Sequence, residues 1–338
     1  MDLSLPQKKL LRLLGDGRFR SGNWLASELG MSRTSVWKHI GALARLGLEI
    51  DSVSGRGYRL AGSLELLDEV LIRSELKADV LEYVGAFYIH DQIGSTNDFL
   101  AKLLAGSEAK GAICLAESQT AGRGRRGRSW ISPFGKNIYL SLAWRYPGSP
   151  ATISGLSLAV GVALVRALSN LGVSDLGLKW PNDLLWHGNK LGGILVELTG
   201  DAHGPCSVVV GLGLNYAMRP DEGAAIEQAW VDLNTITNRS PPARNRLVAS
   251  LINEILPVVA GFDRSGLMPF LNEWRSLDCM RGQAVVLHIG EHQIPGTVAG
   301  ISDQGLIQLV TTDGELRGYA SGEVSLRAVG GRDSRNQA

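Results

Sequence analysis

The residues with the most pointed chemistry stand together at Gly122-Arg123-Gly124-Arg125-Arg126-Gly127-Arg128, four arginines and three glycines in seven positions. Such a run cannot build a core, because glycine costs backbone entropy and arginine costs desolvation. Guanidiniums and bare N–H groups suit an anion instead. The run also satisfies G-x-G-x-x-G, but a dinucleotide-binding turn must open a helix. Ser132-Pro133-Phe134-Gly135 follows directly and reads as loop. Taken alone, the run also fits a solvated RG-type tether for nucleic acid. Lys190, at the start of a strand, is a further cation of interest. Polar groups sit where elements end. Ser95-Thr96-Asn97 lies at a strand-to-helix turn, and Gln119 ends a strand that runs into the arginine loop. Asn182 follows Lys179-Trp180-Pro181, and Asn215 closes another strand. A helix cap is the simplest reading of Ser95-Thr96-Asn97. Spare hydroxyls and an amide there could also grip a polar ligand head.

Other chemistries find no equipment. No G-x-x-x-x-G-K-[ST] occurs, and no G-x-S-x-G. His39, His90, His187, His203, His288 and His292 are scattered without ligand spacing, so no metal held by a protein motif is expected. What is present serves electrostatics and positioning. Joining a carboxylate to the α-phosphate of a nucleotide needs that, since two anions must approach while charge builds on the phosphoryl oxygens.

The elements that must hold these groups divide into three stretches of different composition. Residues 1–60 carry ten Lys/Arg against five Asp/Glu in a chain whose net charge is only +1. A basic head on a mildly acidic body is the footprint of a nucleic-acid-binding domain fused to something else. Within it, a helix over 6–14, a second after Ser21 and a third after Gly30-Met31-Ser32 form a helix-turn-helix. The third helix turns Val36, Ile40 and Leu43 inward and leaves Arg33, Thr34, Ser35, Trp37 and Lys38 exposed. A hairpin with Ser54-Gly55-Arg56-Gly57 at its tip makes a wing. The candidate DNA contacts are therefore Ser32, Arg33, Thr34, Ser35, Lys38 and Arg56.

Alternating strands and helices follow, with strands near 86–90, 112–117, 137–144, 178–180, 184–187, 191–199 and 207–213. Helices are expected at 67–76, 97–104, 152–171, 244–260 and 265–277. From 281 the chain becomes short strands and glycine turns, enough for a small barrel. The limits are thus 1–62, 66–280 and 281–330, in an α+β multidomain chain. Residues 200–206 read as a hairpin tip that could border a dimer interface, and 330–338 as a disordered tail. The apolar stretch 156–168 contains Ser157, Gly161 and Arg166 and reads as a buried helix, not a membrane span. Three distant cysteines and no secretory core point to the cytoplasm.

Ser95-Thr96-Asn97, the run 122–130 ending in Ser129-Trp130, Lys179-Trp180-Pro181-Asn182-Asp183 and Lys190-Leu191-Gly192-Gly193-Ile194-Leu195 resemble the signatures of biotin protein ligases. With the basic head, the chain over about 5–329 resembles the bifunctional biotin operon repressor/biotin ligases of bacteria. The resemblance implies a winged helix, a mixed-sheet ligase domain related to class II synthetases and an SH3-like C-terminal barrel. It implies that biotin and ATP, with Mg²⁺, give biotinyl-5′-AMP, whose biotinyl group passes to a lysine of the biotin carboxyl carrier protein of acetyl-CoA carboxylase. It further implies that the adenylate is a corepressor, and that the adenylate-bound homodimer binds the operator of the biotin biosynthesis genes. The family's biotin contacts fall on Ser95, Thr96, Asn97, Gln119, Arg123, Gly124, Arg125 and Lys190. Its adenylate contacts fall on Arg128, Trp130, Asn182, Asn215 and Trp230. Arg123, Arg125 and Lys190 are the expected catalytic charges. Two alternatives remain: a ligand-sensing repressor without ligase activity, and a lipoate or octanoate ligase relative. The joint presence of Arg123, Arg125 and Lys190 weighs against the first, and the Gly-Arg-Gly-Arg-Arg-Gly loop against the second.

Overall fold

A computed structural model describes residues 2–106, 109–200, 204–321 and the strand 324–328. The tip of the 200–206 hairpin and the 330–338 tail lie outside them. At the N-terminus, α1 (Leu5–Leu14), α2 (Gly22–Leu29) and α3 (Arg33–Ala44) each start on a serine. Ser4, Ser21 and Ser32 accept the otherwise orphaned backbone N–H groups of Gln7, Trp24 and Ser35. Gly30 ends α2 in the left-handed region at φ 62° and sets the turn into α3. Strands β1 (Ile50–Val53) and β2 (Gly57–Leu60) pair antiparallel as the wing. The bundle closes on Leu10, Leu14, Leu25, Val36 and Leu43, all fully buried.

The central sheet has seven strands: β3 (Phe87–Ile93), β4 (Ile113–Gln119), β5 (Asn137–Tyr146), β6 (Leu176–Lys179), β7 (Asp183–Trp186), β8 (Asn189–Gly200) and β9 (Cys206–Asn215). Their order is β3-β4-β5-β9-β8-β7-β6, and only β3 and β4 run parallel. That pair is joined by a crossover through α6 (Thr96–Gly106), after two short helices, α4 (Glu69–Ser74) and α5 (Ala78–Leu81), earlier in the chain. The pleat sorts the two faces. Ile113, Leu115, Leu142, Trp144, Val208 and Val210 join the main core beneath α7 (Leu156–Ser169) and, after the single turn α8 (Leu233–Ile236), α9 (Arg244–Ser265). Cys114, Ala143 and Val209 face α6 in a second cluster. The helical stretches 150–169 and 244–265 are long and apolar enough to cross a bilayer, but 67% and 61% of them is buried inside the protein.

Two expected helices are divided. The helix expected over 152–171 begins only at Leu156, after a 3₁₀ turn at Pro150–Ile153, because Gly155 takes φ 84°. The helix expected over 265–277 is cut at Gly266, φ 58°, and resumes through a 3₁₀ turn as α10 (Leu271–Leu277). The C-terminal strands β10 (Ala284–Ile289), β11 (His292–Ile301), β12 (Ile307–Thr311), β13 (Leu316–Tyr319) and β14 (Val324–Ala328) form an antiparallel sheet ordered β13-β12-β11-β10-β14.

The three parts are stitched by specific contacts. Phe134, from the loop after the arginine run, is 3% exposed because it is seated in the winged-helix core. Lys8 pairs with the buried Asp91 at 2.9 Å, and Glu49 with Arg219 at 2.6 Å. Trp180 Nε1 donates to the Gly305 carbonyl of the C-terminal sheet at 3.1 Å. The linker is anchored by Arg244, whose Nη1 donates to the Glu65 carbonyl at 2.6 Å and lies 2.7 Å from Glu117 Oε2, in a pair whose side chains are each 1% exposed. Removing one partner strands a buried charge. Arg244→Met is expected to lower unfolding free energy by about 3–5 kcal/mol in denaturant titrations.

Candidate active site

The site lies on the α6 face of the sheet, where the register lines up small residues. Ser141 of β5 pairs with Gly211, which pairs with Leu195; Tyr139 pairs with Gly213, which pairs with Gly193 and then Asp183. The glycines leave a floor on which larger groups rest. A Cβ on Gly211 would stand 2.2 Å from Asn97 Oδ1, and one on Gly213 2.4 Å from the Trp130 indole.

One end of the site is neutral and polar. Ser95, Thr96 and Asn97 open α6 and are all buried. Ser95 Oγ accepts the Asp98 N–H at 3.3 Å, which is the cap expected of it. Thr96 N and Oγ1 lie 2.9 and 3.2 Å from Gln119 Oε1. Gln119 Nε2 donates to Ser132 Oγ at 3.3 Å. Ser141, fully buried, places Oγ 2.7 Å from Thr96 Oγ1 and 2.6 Å from Asn97 Oδ1. Asn97 Nδ2 donates to Glu197 at 2.8 Å.

The other end is cationic. Lys190 Nζ is 2.7 Å from Asp183 Oδ1 and 5.4 Å from the centre of the Trp130 ring. Lys179 stands nearby, its pKa pulled down by burial and partly restored by Asp183. Arg125 donates to Asn182 Oδ1 at 3.3 Å and to the Ser321 carbonyl. Burial pulls its pKa below the usual arginine value, against the attraction of Asp183. The arginine run is a small closed hairpin: Gly124 N–H donates to the Arg128 carbonyl at 2.7 Å, and Trp130 N–H to the Gly122 carbonyl at 2.9 Å. The Arg128 side chain turns back to the Arg125 carbonyl at 3.4 Å.

Arg123 is placed differently from Arg125. Its Nη2 bridges Asp98 of α6 and Glu197 of β8, the latter at 2.9 Å, so its charge is already met by two carboxylates. Asn215 lies buried beneath Lys190, with Nδ2 donating to the Lys190 and Val231 carbonyls at 3.3 and 3.1 Å. Trp230 pairs with the Lys190 backbone and borders a cavity of about 540 Å³ that Met218, Arg219, Asp232, Asn234 and Arg239 also line. The structure thus adds Asp98, Ser141, Asp183 and Glu197 to the residues singled out by sequence. Asp183 stood inside a recognised motif. Ser141 and Glu197 carry no local signal, since only strand register brings them to Asn97.

At the other surface, α3 presents Arg33, Thr34 and Lys38 outward, and Trp37 is 63% exposed. Ser32 and Ser35 bond each other at 2.9 Å as part of the cap. Arg56, at the wing tip, stacks 4.1 Å from the centre of the Phe19 ring.

Residues 89–215 match the biotin/lipoate A/B protein ligase family, residues 6–59 a helix-turn-helix domain and residues 282–327 the biotin protein ligase C-terminal domain. The chain belongs to the biotin protein ligase family. It is 40% identical, over 95% of its own length and 97% of the relative's, to the bifunctional ligase/repressor BirA of Escherichia coli (strain K12). Its identity to the protein of that name from Bacillus subtilis (strain 168) is 31%, over 94% and 98%. The structure of the biotin protein ligase from Aquifex aeolicus in complex with biotin and ATP is similar with a TM-score of 0.61 at 28% identity, covering 72% of this chain and 99% of that one. With its helix-turn-helix head, the chain is a member of the bifunctional ligase/repressor group. The glycine floor makes a prediction of its own: Gly211→Ala pushes Asn97 off its seat and should cost about 1–3 kcal/mol of stability, read from the unfolding midpoint.

Proposed function

We propose that this protein joins biotin to ATP, releasing pyrophosphate and forming biotinyl-5′-AMP, and then passes the biotinyl group to a specific lysine of the biotin carboxyl carrier protein of acetyl-CoA carboxylase. One observation carries the reading. A neutral hydrogen-bonding pocket at Thr96, Asn97 and Gln119 and a cation group at Arg125, Lys179 and Lys190 flank Trp130 over a glycine floor. Biotin has the same polarity, with a neutral ureido head, an apolar bicycle and chain, and a carboxylate at the far end.

In this reading Ser95, Thr96, Asn97 and Gln119 hold the ureido ring, and Trp130 covers the ligand over Gly193 and Gly213. Lys190 exchanges Asp183 for the substrate carboxylate and the charge that grows on the α-phosphate. Such preorganised charge is worth most where water is excluded, and both Lys190 and Asp183 are largely buried. Arg125, with Gly124 and Arg128 shaping its loop, retains the adenylate. Arg123 acts as a strap that holds the loop to α6 and β8. Asn182 and Asn215 fix the backbone around the two cations, and the cavity beside Trp230 takes the nucleoside. ATP enters as its Mg²⁺ complex.

A carboxylate oxygen of biotin attacks the α-phosphorus, and the bond to pyrophosphate breaks. The amine of the carrier lysine then attacks the acyl carbon and AMP leaves. Neither step needs a protein nucleophile. The limits 1–62, 66–280 and 281–330 fit these roles, with the head serving as a repressor. When carrier protein is scarce the adenylate persists, the chain dimerises, and Arg33, Thr34, Ser35 and Lys38, with Ser32 capping and Arg56 at a phosphate, engage the operator of the biotin biosynthesis genes. A cytoplasmic location follows from those partners.

Biotin-dependent ATP–pyrophosphate exchange tests the chemistry. Lys190→Met should lower its rate by about 10²–10³-fold. Arg125→Gly should release the adenylate, seen as biotin on unrelated lysines by mass spectrometry. Exchange supported by lipoate or octanoate but not by biotin would overturn the substrate, and biotin binding without exchange would leave a sensor only. Operator affinity should fall steeply with salt, and Lys38→Ala should make that dependence shallower.

A further inference from the structure

A single exposed tryptophan needs no explanation of its own. Trp37 gains one from the residues around it. We infer that Trp37 and Gly41 form an apolar notch on the outward face of α3 that receives the C5-methyl group of a thymine in the major groove, which makes Trp37 a specificity-determining residue for operator DNA. This rests on the repressor reading of the head.

Helical spacing puts Arg33, Thr34, Trp37, Lys38 and Gly41 on one face of α3, opposite the buried Val36, Ile40 and Leu43. All of that outward face is exposed, Trp37 at 63% against 38% for Trp24 of α2. Gly41 follows Trp37 by one turn. A Cβ there would meet nothing within 4 Å, and the backbone is ordinary helix, so neither packing nor conformation calls for glycine. Glycine weakens a helix interior relative to alanine. What it provides here is bare backbone beside the indole. The space is that of one missing side chain, which suits a methyl group.

The charge around the notch fits a polyanion. Helix α3 carries no acid. Asp16 is engaged with Arg18 and Arg20, Asp51 with Arg59, and Glu49 with Arg219 of the ligase domain. Among the described residues Arg33, Lys38 and Arg45, which caps α3, form no ion pair with an acid. A Cβ on Gly22, at the start of α2, would lie 3.4 Å from the Tyr58 ring of β2 and 3.5 Å from Arg33 Nε. The wing and the leading edge of α3 therefore belong to one surface. Duplex DNA answers both features of that surface. Its phosphates meet the unneutralised cations, and the thymine methyl is the apolar group that its base edges offer the indole.

The test selects duplexes from a random pool with the full chain and biotinyl-5′-AMP. Each thymine of the selected site is then replaced by 2′-deoxyuridine, which removes the methyl group alone. At one thymine of a half-site the replacement should weaken wild-type binding about 4-fold, the value of burying one methyl group. Trp37→Ala and Gly41→Met should bind the two duplexes alike, so the ratio falls to about 1. Gly41→Met fills open space and keeps the test decisive if Trp37→Ala fails to fold. Neither substitution changes a charge, so both should keep the wild-type salt dependence, unlike Lys38→Ala. A wild-type chain indifferent to every thymine methyl, or either variant keeping the full ratio, overturns the inference and leaves the repressor reading intact. A wild-type chain that selects no duplex overturns the repressor reading, and this inference with it.

Discussion

Several positive charges must stand close together in this protein before any anion reaches them. Lys190 and Arg128 press on Lys179, Arg126 and Arg128 press on Arg125, and each cation of the site is accommodated by a different device. Arg123 is shared between Asp98 and Glu197. Lys190 leans on Asp183. Arg125 is held by the Asn182 amide oxygen and a backbone carbonyl of the C-terminal sheet. Lys179 is pulled toward neutrality by burial. In the proposed reading Arg123, bridging two carboxylates, straps the loop, and Lys190, paired with a single aspartate, turns to a ligand whose own charge is larger.

The scaffold makes this arrangement possible with backbone rather than bulk. Gly193, Gly211 and Gly213 stand in register with Tyr139, Ser141 and Leu195, and their missing side chains are the space in which Asn97 and Trp130 lie. The loops that carry the charges are not independent of the flanking parts. The loop after the arginine run sends Phe134 into the winged-helix core, and Arg219, at the head of the segment leading to Trp230, pairs with Glu49 of the DNA-binding head. The turn carrying Asn182 and Asp183 is tied through Trp180 to the C-terminal sheet.

The parts visible in sequence were those with a local signature. The caps at Ser21 and Ser32, the Gly30 turn, the wing hairpin and the strands of the sheet follow from spacing over a few residues. The arginine run and the Ser95-Thr96-Asn97 turn announce polar work by composition alone. What sequence could not show is what pairing across the sheet creates. Ser141 reads as one small residue in an apolar strand, and Glu197 as one acid near a hairpin end. They meet Asn97 only because β5, β9 and β8 are neighbours. For the same reason Arg123 and Arg125, two residues apart and alike in sequence, take different places: Arg123 bridges Asp98 and Glu197, and Arg125 lies against Asn182 within the field of Asp183. Gly155 and Gly266 shortened the helices expected over 152–171 and 265–277, since positive φ is a property of the packed turn.

The most direct measurement is a crystal structure of the protein bound to biotinyl-5′-AMP. The account predicts the ureido ring against Thr96 and Gln119, and the acyl-phosphate within hydrogen-bond reach of Lys190 Nζ, with Lys190 drawn away from Asp183 and Arg123 still joined to Asp98 and Glu197. An adenylate seated there with Lys190 still paired to Asp183 and Arg123 on the phosphate would contradict it.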